Sequence, residues 1–257
     1  MIQSVRKAME IFDLVLAEGH LSLKALSNLL GMPKSTVAHL AQTLESGGYL
    51  YRDKKSRDYY LSYKLLRTGF DFLDKSGLRK CIWPVLKHLF ALTDETVNFT
   101  ILDDTKVLYL MKIESNHIYN GIKSGTRAPL HCTASGKALL SSLPTDEAKN
   151  ILDKCLPLEA FAKKTIVDID ILLNEIRECQ GRGYAISDYE MANGVQSIAA
   201  PIKVFPGLEA AAISIAWPSN RSRPEQLSEW GNFLVQACQE IALKSPIKKF
   251  KPIINSR

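Results

Sequence analysis

Long apolar runs are missing from this 257-residue sequence; none approaches the ~18 residues that a membrane-spanning helix needs. The N-terminus, Met1-Ile2-Gln3-Ser4-Val5-Arg6-Lys7, moves straight into a mixed amphipathic segment and carries no secretory signal. A cytosolic chain with no membrane partner is expected. Cysteine is sparse and scattered: Cys81, Cys132, Cys155, Cys179 and Cys238 are odd in number and include no C-x-x-C pair. Reduced, buried thiols are expected, with no metal site and no disulfide frame. Catalytic signatures are missing too: there is no G-x-S-x-G, no H-E-x-x-H and no dinucleotide-binding glycine pattern. Ala134-Ser-Gly-Lys-Ala138 is the nearest approach to a phosphate loop. It has His131 where that loop needs glycine and Ala138 where it needs Ser or Thr, so no nucleotide cofactor is expected. Without such motifs, no catalytic residue is assigned, and an enzyme with an appended helical domain is the rival reading. There is no internal repeat.

What is present is an ordinary globular composition, 46% hydrophobic and 23% charged, in a chain long enough for two cores. The net charge is +6, but five of those charges lie in the acid-free stretch from Lys244 to Arg257. Residues 1–75 carry eleven Lys/Arg against eight Asp/Glu. Charge alone therefore points only weakly to nucleic acid.

Periodicity says more. Val5, Ala8, Met9, Phe12 and Leu16 have helical spacing, and Gly19 stops that helix. Ser22 caps a short second helix that Gly31 ends. Pro33 suits the first turn of a third, whose buried face is Val37, Leu40, Ala41 and Leu44. Two β-prone runs, from Tyr49 and from Asp58, flank the basic tip Lys54-Lys55-Ser56-Arg57 and read as a hairpin. Three helices and a hairpin make a winged helix-turn-helix. A helix from Tyr63 to about Lys75 offers Leu65, Leu66, Phe70 and Leu73 to a partner or to a domain link. Another helix carries Ile82, Val85, Leu86, Leu89 and Leu92. Strands are expected at Thr96–Leu102, Lys106–Ile113 and near Ile118–Lys123, followed by a loop, Ser124–Leu130. Helices follow at Ala134–Ser142, Thr145–Lys154 and Asp168–Arg182. Strands at Tyr184–Ser187, Ser197–Val204 and Leu208–Trp217 precede a last helix, Arg223–Leu243. The order fits a mixed α/β (α+β) fold with a mostly antiparallel sheet. The organisation read from it is residues 1–62, winged helix-turn-helix; 63–78, linker helix; 79–245, sensor domain; and 246–257, basic tail.

On the third helix, Ser35, Thr36, His39 and Gln42 point outward and can reach base edges or phosphates. Lys34 and the tip cations Lys54, Lys55 and Arg57 suit the phosphate backbone or minor groove. A solvated helix face and an ordinary charged turn are the alternative. Thr133 or Cys132 can cap the helix at Ala134, whose first N–H groups, at Ala134 and Ser135, suit a carboxylate; a plain capped core helix is the alternative. His131 is read as a structural hydrogen-bonding residue. Glu190 either orients a loop, binds a ligand hydroxyl or faces solvent. Trp83, Trp217 and Trp230 are read as core or interface aromatics, with Trp217 also placed to line a pocket mouth.

Several segments in order carry a resemblance: Gly31-Met-Pro-Lys-Ser-Thr-Val37, Gln42-Thr-Leu, Thr96-Val-Asn, Ala128-Pro-Leu-His-Cys-Thr-Ala-Ser-Gly-Lys-Ala-Leu-Leu140 and Ala199-Ala-Pro-Ile202. Together the chain resembles the IclR family of transcriptional regulators. The resemblance implies a GAF-like effector domain, homodimers or dimers of dimers, a double-stranded operator, and control of small-acid or aromatic catabolic genes, as a repressor. It also places Val195, Ser197, Ser214 and Ala216 beside Ala134 and Ser135 as an effector pocket for a small carboxylate. The family often has cysteine at the position of Ser197, serine at Ala216 and His-Arg at Ala38-His39.

Overall fold

The computed structural model describes residues 2–117, 121–202, 210–222 and 224–244. It divides into two units, Met1–Lys75 and Ser76–Arg257.

In the first unit, α1 (Gln3–Glu18) buries Ile11 and Val15. A two-residue strand, β1 (His20–Leu21), follows. Ser22 caps α2 (Leu23–Leu30) by accepting from the Ala25 amide at 3.2 Å, and Gly31 leaves the helix at φ 60°, a left-handed turn that glycine makes without strain. Helix α3 (Lys34–Ser46) starts one residue after Pro33 and buries Val37 and Ala41. Strands β2 (Leu50–Arg52) and β3 (Tyr59–Leu61) form the hairpin, and β1 pairs with the far side of β3. Ile11, Val15, Leu26, Val37, Ala41, Leu50 and Tyr59 close one core. Helix α4 (Tyr63–Lys75) buries no residue fully. Its Lys64 ammonium donates to the Gly47 carbonyl at 2.6 Å and lies 4.1 Å from the Tyr49 ring centroid, tying it to the end of α3.

In the second unit, α5 (Leu78–Thr93) precedes β4 (Thr96–Asp103), β5 (Lys106–Ile113) and β6 (Arg127–Pro129). Then come α6 (Ala134–Ser141), α7 (Thr145–Asp153), α8 (Ile169–Arg182), β7 (Ala185–Asp188), β8 (Val195–Ile202), β9 (Ala211–Pro218) and α9 (Pro224–Lys244). The sheet runs β6-β5-β4-β9-β8-β7, and each of these neighbours is antiparallel. Register sorts the side chains by face. Val97, Phe99, Ile198, Ile213 and Ile215 share the face toward α5 and α9, where Trp217 meets Trp230 edge-on at 5.0 Å. Asn98, Thr100, Ala199, Ala212 and Ser214 share the other face, and its alanines leave room for α6 to pack directly on the sheet. Every residue of α6 is buried between this face and α8.

The structure corrects several expectations. The pairing of β6 with β5 occupies part of the expected Ser124–Leu130 loop, and residues 121–123 of the expected Ile118–Lys123 strand form no strand. Residues 118–120, the strand ends at Val204 and Leu208, Arg223 and the tail 246–257 lie outside the described residues. Helix α4 ends at Lys75, where its spacing placed the end; α5 starts at Leu78, after Gly77 at φ 73°, so the linker span 63–78 runs past the helix. Trp217 lies on the face toward α9, opposite Ser214, and lines no pocket mouth on the α6 side.

The contact between α6 and the segment before it depends on Gly136. A Cβ there would stand 2.1 Å from the Leu130 carbonyl oxygen. Gly136→Ala is expected to destabilise the second unit by at least ~2 kcal/mol, because backbone rather than a flexible side chain must give way. Gly181→Ala in α8, where a Cβ meets nothing within 4 Å, is expected to stabilise by up to ~1 kcal/mol. Urea unfolding of both variants checks this; equal effects would contradict it.

Candidate functional site

Two surfaces carry the residues singled out in the sequence, one in each unit. On α3, burial of Val37 and Ala41 turns Lys34, Ser35, Thr36, His39 and Gln42 to solvent, and all five are exposed. Three of them, Ser35, His39 and Gln42, follow one stripe of the helix. The hairpin tip is a built turn. The Asp53 carboxylate accepts from the amides of Lys55 (2.9 Å) and Ser56 (2.7 Å). Those two backbone donors hold it below its ordinary titration range. The Asp53 amide donates to the Asp58 carbonyl at 2.9 Å, and Arg57, at φ 67°, closes the turn by donating to the Asp53 carbonyl at 3.0 Å. Lys54, Lys55 and Arg57 are all exposed on it. Behind the tip, Tyr60 stacks between His20 and Tyr51, with both centroid distances at 5.1 Å. Asp53 and β1 were not singled out in the sequence. An Asx turn at an acid before Lys-Lys-Ser was the available signal for Asp53.

In the second unit, Thr133 rather than Cys132 caps α6: its hydroxyl accepts from the Gly136 amide at 3.0 Å and donates to the Pro129 carbonyl at 2.9 Å. The Lys137 amide turns back to the Thr133 carbonyl at 3.1 Å. As first-turn amides, Ala134 and Ser135 have no intrahelical acceptor. Register places Ser197 opposite Ala216, Ala199 opposite Ser214 and Val195 opposite Pro218. Val195, Ser197, Ser214 and Ala216 therefore share the face on which α6 packs. Ser214 and Ala216 are buried, whereas Val195 and Ser197 are partly open.

Three further groups on this face were not assigned from the sequence. Asn98 donates to Ser214 Oγ at 3.3 Å. Lys112, opposite Asn98 on β5, is held by the Glu114 carboxylate at 2.7 Å and the Ile122 carbonyl at 2.6 Å. The phenol of Tyr109 is pushed up to about 12 by burial, despite the neighbouring Ser135 hydroxyl. Only pairing register could have brought Asn98 and Ser214, 116 positions apart, together.

Beneath the helix start, Lys137 is 1% exposed and donates to Glu190 at 2.8 Å, Glu175 at 3.2 Å and the Ile186 carbonyl at 3.1 Å. Glu190 is thus a buried ion-pair partner that fixes the 189–194 loop, and its solvent-facing alternative fails. Its own carboxyl also accepts from the Asp188 amide at 3.1 Å. His131 Nε2 pairs with the Glu159 carbonyl at 2.9 Å, a structural role.

Family models match both units: the IclR helix-turn-helix domain over residues 4–54 and the C-terminal part of the bacterial transcriptional regulator IclR over residues 70–243. The chain belongs to the IclR family of bacterial transcriptional regulators. It is 33% identical to the HTH-type transcriptional regulator KipR of Bacillus subtilis, with 94% of this chain and 95% of that protein covered. It is 31% identical to the HTH-type transcriptional regulator BhcR of Paracoccus denitrificans, over 94% of this chain and 86% of that one. The crystal structure of Thermotoga maritima IclR superposes with a TM-score of 0.71 at 26% identity, covering 95% of this chain and 99% of that one. The IclR-family chain described here is accordingly a DNA-binding transcriptional regulator, with the mixed α/β plan of its relatives. Among its described residues no helix is long and apolar enough to cross a membrane.

The Lys137 cluster yields a pH-dependent expectation. Desolvation raises the Glu190 carboxyl above its ordinary 4.5, and Lys137 opposes that rise. A carboxyl raised on folding contributes stability below its unfolded value and loses it as pH rises through the folded value. Lys137→Met removes the opposing charge, so the loss grows and moves toward neutral pH. The variant should be less stable by about 3–5 kcal/mol near neutrality, and by clearly less at about pH 5, where Glu190 can take up a proton. Urea midpoints at the two pH values measure this; a pH-independent loss would refute it.

Proposed function

We propose that this IclR-family regulator is a cytosolic repressor of small-acid or aromatic catabolic genes, released or tightened by a small carboxylate. The observation that carries the DNA half of this reading is the exposed polar stripe of α3 above buried Val37 and Ala41. In the proposed mode α3 enters the major groove. Ser35, Thr36, His39 and Gln42 reach base edges and phosphates, while Lys34 and the tip cations Lys54, Lys55 and Arg57 hold the backbone. The rigid Asp53 turn supports this, because a preformed tip loses little entropy on binding. The effector half rests on the first-turn amides of Ala134 and Ser135, which have no intrahelical acceptor, with Val195, Ser197, Ser214 and Ala216 on the adjoining sheet face. Donors predominate there, and donors suit a carboxylate.

One winged helix offers few base contacts, so the proposal includes a homodimer, or a dimer of dimers, on a palindromic double-stranded operator. Tyr63, Leu66 and Phe70 lie at helical spacing on α4 and are exposed. Leu65 and Leu73, also offered to a partner by the sequence, are partly buried. Leu66→Asp with Phe70→Asp is expected to shift the chain toward monomer at micromolar concentration in light scattering, and to weaken operator binding. An unchanged mass would place the dimer contact elsewhere.

The DNA mode is tested by salt titration. Replacing Lys54, Lys55 and Arg57 with Ala should weaken specific and random DNA alike, and flatten the log-log salt slope by up to ~0.9 per lost phosphate contact. His39→Ala or Gln42→Ala should instead change base preference at one position, by roughly 1–3 kcal/mol for a bidentate contact. A triple variant with the parental salt slope would show that the tip does not touch phosphate.

A further inference from the structure

Four buried side-chain atoms have no hydrogen-bond partner among the described residues: Glu95 Oε2, Asn98 Oδ1, Ser135 Oγ and Glu190 Oε2. The two carboxylate oxygens belong to groups already ion-paired, to Arg221 and to Lys137. Ser135, 2% exposed at the start of α6, lies beside the Tyr109 phenol. Asn98 Oδ1 has no such neighbour: the residue is 3% exposed and lies on the inner sheet face. Around Asn98, the neighbouring polar groups are already committed. Thr96 pairs with Ser115 at 3.3 Å and Thr100 donates to the Ala212 carbonyl at 3.3 Å. Lys112, across the strand pair, is committed to Glu114 and the Ile122 carbonyl. The carboxamide's own N–H goes to Ser214 Oγ, which leaves its oxygen, on the face that α6 covers, without a donor.

The resulting surface is asymmetric in chemistry. The amides of Ala134 and Ser135 can only donate, and the serine hydroxyls can do either. Asn98 Oδ1 can only accept. We propose that Asn98 Oδ1 is the acceptor for a hydroxyl of the effector, and that the effector is a small hydroxy acid. Its carboxylate lies on the α6 amides and its hydroxyl donates to Asn98. This rests on the reading of that face as the effector site. A 2-oxo acid of the same size presents only acceptors and would set its carbonyl oxygen against Asn98 Oδ1, leaving both unsatisfied. A hydroxy acid satisfies both ends of the site. Ala199, Ala212 and Ala216 share this face and offer no polar side-chain atom, so selection falls on the polar contacts.

The test is calorimetric titration of the intact chain with matched pairs, lactate against pyruvate and 2-hydroxybutyrate against 2-oxobutyrate. The hydroxy acid of each pair should bind at least about 10-fold tighter, since an unpaired buried acceptor penalises its partner. Asn98→Leu should abolish the preference while retaining carboxylate binding. Asn98→Ser, which is smaller and too short to reach, serves if the leucine variant does not fold. Ser214→Ala should weaken both acids of a pair. Equal or reversed preference, with binding still sensitive to Ser214→Ala, overturns the Asn98 assignment and leaves the effector site standing; it is the outcome expected if the carboxamide is turned with its N–H groups inward. A preference that survives both Asn98 variants also overturns it. Failure of all four acids to bind at millimolar concentration, or binding indifferent to Ser197→Ala and Ser214→Ala, overturns the site and the assignment together.

Discussion

A lysine ammonium that is 1% exposed has to be fully satisfied, and the second unit is arranged around that requirement. Lys137 collects Glu190, Glu175 and the Ile186 carbonyl, which belong to the 189–194 loop, α8 and β7. Each partner fixes a different element against α6. Gly136, one residue earlier, lets the helix approach the Leu130 carbonyl to a distance that any side chain would forbid. Thr133, three residues before that glycine, fixes where the first turn begins. Within five positions, then, the chain sets the depth, start and orientation of a helix whose first amides face a sheet of alanines and serines. Ser187, donating to the Cys132 carbonyl at 2.9 Å, ties β7 to the same point.

Much of the fold was legible because it follows from local rules. Ser22, Gly31 and Thr133 act at helix ends as their side chains and glycine's freedom dictate. The spacing of Val37 and Ala41 identified the outward face of α3 without any tertiary information. The failures have physical reasons as well. Strand β1 is two residues long, too short to show alternation. Strand β6 is three residues at an edge and contains Pro129, so propensity argued for a loop. Trp217 is the core aromatic expected, but not a pocket-mouth residue as well: a strand's two faces are told apart only by what packs on each, and Trp230, on α9, decides it. The end of α4 at Lys75, by contrast, was legible from helical spacing, and Gly77, at φ 73°, starts the next helix.

The candidate sites were legible to different degrees for the same cause. The α3 stripe and the hairpin tip are local, and their residues lie within 24 positions of one another. Asp53 escaped notice although it organises the tip, because its work is done on backbone amides rather than by its charge. The sheet face is non-local. Ser197 and Ser214 could be placed together only through resemblance to relatives, and Asn98 only through strand register.

Preorganisation links the two surfaces in kind, with opposite consequences. The hairpin tip satisfies its own backbone, so it can wait in solvent with its cations extended at little cost. The inner sheet face does the reverse: it holds the Asn98 carboxamide oxygen away from water without giving it a donor. Each such unmade bond costs about 1–3 kcal/mol, a debt that a ligand of the right polarity removes on binding. A folded unit carrying that deficit is stabilised by its ligand in proportion to RT ln(1 + [L]/Kd). The deficit is selective, because an apolar molecule would leave that acceptor unmet. On the proposed reading, a buried acceptor without a partner is what makes this face a sensor rather than a core, and the chemistry of the ligand follows from which atom is left unpaired.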